Sequence, residues 1–112
     1  MSDLFNIGQS GIVAARTALT VTGENIANAD STSPVAGGEP YRRQVPVFQS
    51  RTVDGVTGVV LAEVRPDQGD FRMDYDPSHP AANADGYVMR PNVNTLVEAM
   101  DMRAAQRAYE AN

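Results

Sequence analysis

The residues best suited to chemistry in this sequence are a single histidine and a group of aspartates. His79 is the only histidine, and it lies in the segment DPSHP with Ser78 directly before it. Adjacent side chains in a proline-bounded turn do not face each other, so these two residues do not form a nucleophile and its base. We expect His79 to be a solvated or hydrogen-bonded turn residue.

Paired carboxylates are the second candidate, because two acidic side chains can serve acid–base chemistry or bind calcium. The aspartates of the middle segment do not follow the alternating spacing of a calcium loop with its terminal glutamate. A chain this short also has little wall from which to build a cleft. We therefore expect a solvated acidic face, made by Asp67, Asp70, Asp74, Asp76 and Asp85.

The amino-acid composition excludes several further kinds of catalytic and binding site. Cysteine is absent, which excludes thiolate nucleophiles, disulfides and cysteine-bound zinc. All nine basic residues are arginine, which excludes a Schiff-base lysine and the lysine of a phosphate-binding loop. A net charge of −5 argues against a nucleic-acid-binding face, and Arg42–Arg43 is expected to flank a strand. The sequence indicates neither an enzyme nor a metal or cofactor site.

Two apolar rows in the N-terminal segment predict an amphipathic helix over Asp3–Asn28. Gln9, Arg16 and Glu24 lie off both rows. The face is wide enough to touch two neighbours, although an ordinary surface helix on its own domain stays open. The first row is Phe5, Ile12, Ala15, Leu19, Thr22 and Ile26, and the second is Leu4, Ile7, Gly11, Ala14, Ala18 and Val21.

The middle of the chain has the pattern of a loop followed by a small antiparallel β unit. Asp30–Pro40 is rich in Ser, Thr, Pro and Gly and predicts the loop. Pro46 indicates that the first strand lies at an edge. In the third strand Phe71, Met73 and Tyr75 alternate with charged residues, so we expect them to form a buried face. The predicted strands are Gln44–Gln49, Gly58–Arg65, Phe71–Tyr75 and Tyr87–Met89.

A second amphipathic helix follows the Pro–Asn turn at Pro91. Thr95 and Glu98 have the spacing of a capping box, which predicts the start of the helix. The sequence reaches Asn112 without a capping glycine, so we expect the helix to be cut off there. The apolar face is Val93, Val97, Met100, Ala104, Ala108 and Ala111.

The start of the chain does not have the pattern of a cleaved signal peptide. Met1–Gly23 lacks a basic beginning, and Arg16 interrupts its apolar stretch. No segment is long and apolar enough to span a bilayer. We expect any export from the cytoplasm to use another route.

Motifs at both ends resemble one known family. ENIANADS at Glu24–Ser31 is followed by PYRRQ at Pro40–Gln44, and DPSHPAANADGYVMRPNVN is followed by LVEAMDMRAAQRAYEAN, which ends at Asn112. Together they resemble the axial proteins of the bacterial flagellum, which form its rod and hook. NIAN is shared across that family. GYV-x-x-PNVN with R-x-YEAN narrows the resemblance to the proximal rod proteins, whereas Met1–Gly23 is more similar to hook-associated proteins.

The resemblance implies an α+β fold with a small antiparallel β-rich middle segment and terminal helices that pack as a coiled coil. The expected parts are an N-terminal helix over 1–30, a loop and β segment over 31–91 and a C-terminal helix over 92–112. Family members continue beyond the position of Asn112, so we expect this sequence to be a fragment or a trimmed chain.

The resemblance also implies a structural subunit of the periplasmic proximal rod, which transmits torque and encloses the export channel. The implied partners are copies of the chain, other rod proteins, the flagellar type III export apparatus and the adaptor between the MS ring and the rod base. No enzymatic activity, metal, cofactor, nucleic acid or membrane span is implied. Another rod or hook-associated subunit, or a small soluble binding module, remains an alternative.

We expect many shallow helix contacts to carry torque between subunits. Burial of one Leu or Ile side chain contributes about 1.5–3 kcal/mol, so several per subunit suffice. Asn25 and Asn28 either link the helix end to neighbouring backbone or simply terminate the helix. The predicted subunit-interface residues are Phe5, Ile12, Ala15, Leu19, Asn25, Ile26, Asn28, Val93, Val97, Met100, Ala104 and Ala108.

Overall fold

The computed structural model describes residues 2–111 and has the predicted α+β composition. The predicted interruption of the second helix at Asn112 lies outside the described residues. Within them, two terminal helices flank two separate antiparallel strand pairs. The elements are α1 (Ser2–Ala27), β1 (Gln44–Val53), β2 (Val56–Pro66), β3 (Arg72–Tyr75), β4 (Tyr87–Arg90) and α2 (Thr95–Ala111).

Helix α1 has nearly the predicted bounds, since its apolar periodicity is local and strong. One of its two rows turns towards the rest of the chain, where Ile7, Ala14 and Val21 are buried. The other row is divided, with Ala15 and Thr22 buried but Phe5 exposed. The polar residues Gln9, Arg16 and Glu24, which lie off both rows, are exposed.

Strands β1 and β2 form one long hairpin rather than two short strands. The turn is Asp54–Gly55, with φ of 51° and 80°, and it joins Val53 to its partner Val56. Positive φ at both central residues is the requirement of a type I′ turn, whose twist matches that of the strands. Farther along, Val47 pairs with Glu63 and Phe48 with Leu61, so Ala62 forms a bulge in β2.

Strands β3 and β4 pair with Met73 opposite Met89 and Tyr75 opposite Tyr87. The predicted buried face of β3 is wrong, because Met73 and Tyr75 are exposed. The opposite face turns inward through Val88 on β4, which is fully buried. Only one face of this two-stranded sheet packs against the rest of the chain, and it is the face that carries Val88.

The start of α2 also differs from the prediction. Asn94 caps the helix, because its Oδ1 accepts hydrogen bonds from the N–H groups of Leu96 (3.0 Å) and Val97 (3.4 Å). The predicted Thr95–Glu98 capping box is therefore wrong. Thr95 is the first helical residue, and the Glu98 side chain turns into the protein instead.

Helix α2 and the hairpin of β1 and β2 both pack along α1. Asn25 of α1 contacts Glu98, and Gly23 lies beside Met102, so α1 and α2 run antiparallel. The hairpin follows α1 towards its N-terminus, where the Ser10 hydroxyl donates to the carbonyl of Val59 at 3.0 Å. The result is elongated, with extents of 61 × 20 × 18 Å. Neither described helix is long and apolar enough to cross a membrane.

Candidate assembly interface and its buried polar junction

Asn25 is the centre of a buried polar junction where α1, β1 and α2 meet. Its Nδ2 donates to the carbonyl of Gln44 (2.9 Å) and to Oε2 of Glu98 (3.2 Å). Its Oδ1 accepts from the Gln44 N–H (2.9 Å) and from the Tyr41 hydroxyl (2.6 Å). Asn25 is 1% exposed, so all four hydrogen bonds replace water that the folded chain excludes.

Glu98 brings a carboxylate into the same junction. The residue is only 1% exposed, and its Oε1 accepts a hydrogen bond from Nε of Arg43. A buried carboxylate is tolerated when it is paired and hydrogen-bonded, and Arg43 with Asn25 meets both conditions. Among the described residues, every buried side-chain nitrogen and oxygen has a hydrogen-bond partner.

Arg43 joins Glu98 to two further carboxylates. Its Nη1 lies 3.0 Å from Oδ2 of Asp67, which follows β2, and its Nη2 lies 3.2 Å from Oδ2 of Asp101 on α2. The planar guanidinium presents several donors in fixed directions, which suits contacts with several acceptors. One side chain thereby connects the base of the hairpin to the first half of α2.

The local charges shift the pKa values of this cluster. Burial acts to lower the pKa of Arg43, but hydrogen bonds to Glu98 and Asp67 outweigh it and raise the pKa. The backbone N–H of Gly69 and then the Arg43 side chain lower the pKa of Asp67. Burial, with the charges of Glu24 and Glu98, raises the pKa of Tyr41. Arg43 and Asp67 are therefore charged, and Tyr41 protonated, at neutral pH.

The turn after β2 is held against this cluster by two side chains, which bind its backbone carbonyls. Asn92 accepts from the Arg43 N–H (2.7 Å) and donates to the carbonyls of Asp67 (3.1 Å) and Gly69 (3.2 Å). Nη1 of Arg42 donates to the same carbonyls at 2.7 and 2.8 Å. Its guanidinium carbon also lies 4.1 Å from the centre of the Phe71 ring.

A groove of about 740 Å³ runs between the hairpin and α2, over the inward face of α1. Its floor on α1 is made of small residues, including Gly11, Ala14 and Ala18. The hairpin forms one wall with Phe48 and its neighbours, and Ala104, Ala105 and Ala108 belong to the other. The predicted residues Ala15 and Asn25 also line it.

The twelve predicted interface residues occupy three kinds of environment. Their assignment to contacts between subunits remains a prediction, since a single chain is described. Ala15, Asn25 and Val93 are already buried within the chain, and Ile12, Leu19 and Asn28 are half-buried. Phe5, Ile26, Val97, Met100, Ala104 and Ala108 are exposed.

The two asparagines at the end of α1 have different roles. Asn25 links the helix end to the backbone of Gln44, which is the first of the two alternatives predicted for these asparagines. Asn28 instead donates from Nδ2 to the carbonyl of Glu24 at 2.9 Å and accepts from the Ser31 hydroxyl at 3.0 Å. These contacts stay within the helix end, so Asn28 terminates the helix.

The candidates for chemistry have local partners. Nδ1 of His79 accepts from the N–H of Ala81 at 3.0 Å, so the predicted hydrogen-bonded turn histidine is confirmed. The Ser78 hydroxyl donates to Asp76 at 3.2 Å rather than to the histidine. Within residues 2–111, no group of three or more His, Asp or Glu side chains is placed to hold a metal ion.

Arg43 and Glu98 are the residues that the sequence interpretation missed. Arg43 does precede a strand, as predicted, but its three carboxylate partners lie 24 to 58 positions away in the chain. The sequence signal for Glu98 is its spacing of seven positions from Ala105, which places both residues on one face of the helix, and both are buried in the structure. A charged residue on a packed face indicates a buried partner, and arginine is the commonest choice for one.

Comparisons with known proteins give matches to the C-terminal segment and to nearly the whole chain. Residues 84–112 match the family "Flagellar basal body rod FlgEFG protein C-terminal". The flagellar basal-body rod protein FlgC of Agrobacterium fabrum is 45% identical over all of this chain and 82% of its own length. The FlgC protein of Salmonella typhimurium is 39% identical over 98% of this chain and 83% of its own length. The FlgC protein of Bacillus subtilis is 36% identical over 96% of this chain and 83% of its own length. The chain therefore belongs to the FlgC family of flagellar basal-body rod proteins.

Proposed function

We propose that this chain is a structural subunit of the proximal rod of the bacterial flagellar basal body, and that it has no enzymatic role. In this proposal the subunits assemble helically into a drive shaft that transmits torque and encloses the export channel. Family membership supports the rod assignment. The arrangement of the two terminal helices supports the assembly.

The observation that carries the proposal is the apolar surface left on the outer faces of both helices. Met100 on α2 is 64% exposed and Leu96 is 70% exposed, and Phe5 on α1 is 64% exposed. Each could contribute roughly 1.5–3 kcal/mol if a neighbouring subunit buried it. Large exposed side chains grouped on elements whose other faces are packed indicate an interaction surface.

The proposed partners are copies of the chain and other rod proteins. We extend the proposal to the flagellar type III export apparatus and to the adaptor between the MS ring and the rod base. In the assembled rod, we propose that the terminal helices of neighbouring subunits pack as a coiled coil. The predicted parts 1–30 and 92–112 would then form the inner layer, and 31–91 would face outward.

Single charged substitutions in the exposed rows test this assembly. We expect Met100→Asp and Phe5→Asp to leave the isolated chain folded by circular dichroism, since neither side chain is buried. A strain that carries either variant should export the subunit but assemble few rods, and motility should fall sharply. Gln106→Asp introduces the same charge at an exposed polar position of α2 and should be motile.

The outcome that contradicts the proposal is normal rod assembly and motility with both Met100→Asp and Phe5→Asp. Loss of motility with the Gln106→Asp control would instead show that any added charge on α2 is harmful. Electron microscopy of purified basal bodies distinguishes a missing rod from a rod that is present but does not rotate.

A further inference from the structure

We infer that the Asn25–Glu98–Arg43 junction fixes the register of α2 along α1. The apolar contact between the helices is made largely by small residues, with the larger Met102 beside Gly23. Within α2 the buried residues are Glu98 and Ala105 alone. On α1 the residues that line the groove beside α2 include Gly11, Ala14 and Ala18, which are all small. Small side chains form shallow ridges, so they specify the axial position of α2 less strongly than large interlocking side chains would.

The sequence of α2 contains a second pair that could occupy the same places. Glu98 and Ala105 are seven positions apart, and so are Asp101 and Ala108. A slide of α2 by three residues along its own screw, about 4.5 Å with a rotation of about 60°, would bring the second pair to the positions of the first. Asp101 already lies 3.2 Å from Arg43, so the arginine could pair with a carboxylate in either register.

Asn25 distinguishes the two registers. Its Nδ2 lies 3.2 Å from Oε2 of Glu98, while its other three hydrogen bonds go to Gln44 and Tyr41. The position of Asn25 is therefore set by β1 and the segment before it, independently of α2. An aspartate is one methylene shorter than a glutamate and would not reach Asn25 from the same backbone position. A buried polar contact that specifies helix register is a known use of such groups.

Cross-linking between engineered cysteines measures the register directly, because the natural chain contains no cysteine. Gly23 lies beside Met102 in the native register, with 3.8 Å between an ideal Gly23 Cβ and Cε of Met102. A slide of three residues would place Ala105 there instead. The pairs to compare are therefore Gly23→Cys with Met102→Cys and Gly23→Cys with Ala105→Cys, each treated with one short bifunctional thiol reagent.

In the otherwise natural chain, we expect the first pair to cross-link at least ~10-fold faster than the second, as a well-specified register requires. Glu98→Leu should bring the two rates within ~3-fold of each other. This variant leaves Arg43 with Asp67 and Asp101 as partners, so no arginine charge is left alone. A full ~10-fold preference in folded Glu98→Leu would overturn the inference.

Glu98→Gln provides the second measurement if Glu98→Leu does not fold. Glutamine has the shape of glutamate and keeps the oxygen that Asn25 needs, but it loses the charge that Arg43 binds. The preference for the first pair should then fall only part of the way, by ~2- to 5-fold. An unchanged preference in Glu98→Gln would also contradict the inference, because Arg43 would then have no part in the register. Neither measurement depends on rod assembly.

Discussion

The side-chain amide of Asn25 binds the backbone of Gln44 through both groups, with its Nδ2 and its Oδ1 each 2.9 Å from their partners. Asn25 thereby makes the two hydrogen bonds that a neighbouring strand would make. The last turns of α1 are thus fastened to the first residue of β1 across a loop of 16 residues, numbered 28–43. The hairpin begins at a place that α1 determines.

Replacing Asn25 should be costly because its partners would stay buried. Asn25→Ala leaves the Gln44 backbone groups and one Glu98 oxygen without their hydrogen bonds, at about 1–3 kcal/mol for each group that water does not reach. We expect the free energy of unfolding, measured with urea, to fall by at least about 2 kcal/mol. Asn28→Ala is the matched control and should cost under about 1 kcal/mol, because Asn28 is half-buried and bonds within its own helix end. Equal losses in both variants would contradict the special role of Asn25.

Gly58 sets how closely the hairpin approaches α1. A Cβ at this position would lie 2.9 Å from Cγ1 of Ile7 and 3.3 Å from its carbonyl oxygen. Gly58→Ala should therefore push the strand from the helix and cost about 1–3 kcal/mol, the usual range for overpacking. Gly8→Ala makes the same chemical change within α1, where an added Cβ would meet no atom within 4 Å apart from the adjacent residues and nearby helix backbone. It should stabilise the chain by about 0.5–1 kcal/mol, since alanine favours the helix. Urea titration of the two variants should give opposite signs, and a stabilising Gly58→Ala would refute the close contact.

Arg43 and Glu98 should show strong coupling in a double-mutant cycle. Arg43→Ala leaves the buried Glu98 carboxylate without its cation and should cost roughly 3 kcal/mol, at the low end for buried pairs because Arg43 is partly exposed. The double variant Arg43→Ala/Glu98→Leu should recover a large part of that loss, because it removes the unpaired charge as well. Urea titration of the four chains gives the coupling energy. If the losses of the single variants simply add, the carboxylate does not depend on Arg43.

Acid should weaken the part of the fold that Asp67 holds. The folded chain lowers the pKa of this carboxyl, through the Gly69 N–H and then Arg43, so its contribution to stability is present above the unfolded pKa. That contribution is lost as the pH falls through the lower folded value. We expect a small effect, because Asp67 is 33% exposed and solvent screens the pair. Measured between pH 2 and 6, the loss of unfolding free energy on acidification should be smaller for Asp67→Asn than for the natural chain. Asp70→Asn, at an exposed neighbouring position, should behave as the natural chain does.

Local sequence patterns predicted the elements better than their contacts. The bounds of α1 follow from a periodicity that needs no partner, and the structure agrees within a residue. The sequence interpretation predicts two short separate strands where the structure has one long hairpin, although the dipeptide Asp54–Gly55 is a strong signal for a type I′ turn. The second helix was predicted over 92–112, but α2 begins only at Thr95, so Val93 precedes the helix instead of lying on its apolar face. The predicted cap was also wrong, because Asn94 and Thr95 are adjacent and both are good capping residues.

The polar junction could not be derived from any one segment. Arg43 and Glu98 are 55 positions apart, and which arginine meets which carboxylate depends on how the hairpin and α2 lie against α1. The same limit explains the error in β3. Alternation shows that a strand has two unlike faces, but the fully buried Val88 on the partner strand is what identifies the covered one.

The narrow cross-section of the subunit has a mechanical consequence. At 20 × 18 Å, the molecule is about two helices thick, given a helix diameter of 10–12 Å with its side chains. Each terminal helix therefore packs against the rest of the chain on one face and forms the outer surface of the molecule, its outer wall, on the other. The molecule resembles a beam more than a sphere, and a load applied to its outer wall passes directly into the contacts that hold it folded. The contacts that make the subunit stiff are then the same contacts that stabilise its fold. A substitution that lowers the stability of the fold should therefore also lower the stiffness of the subunit.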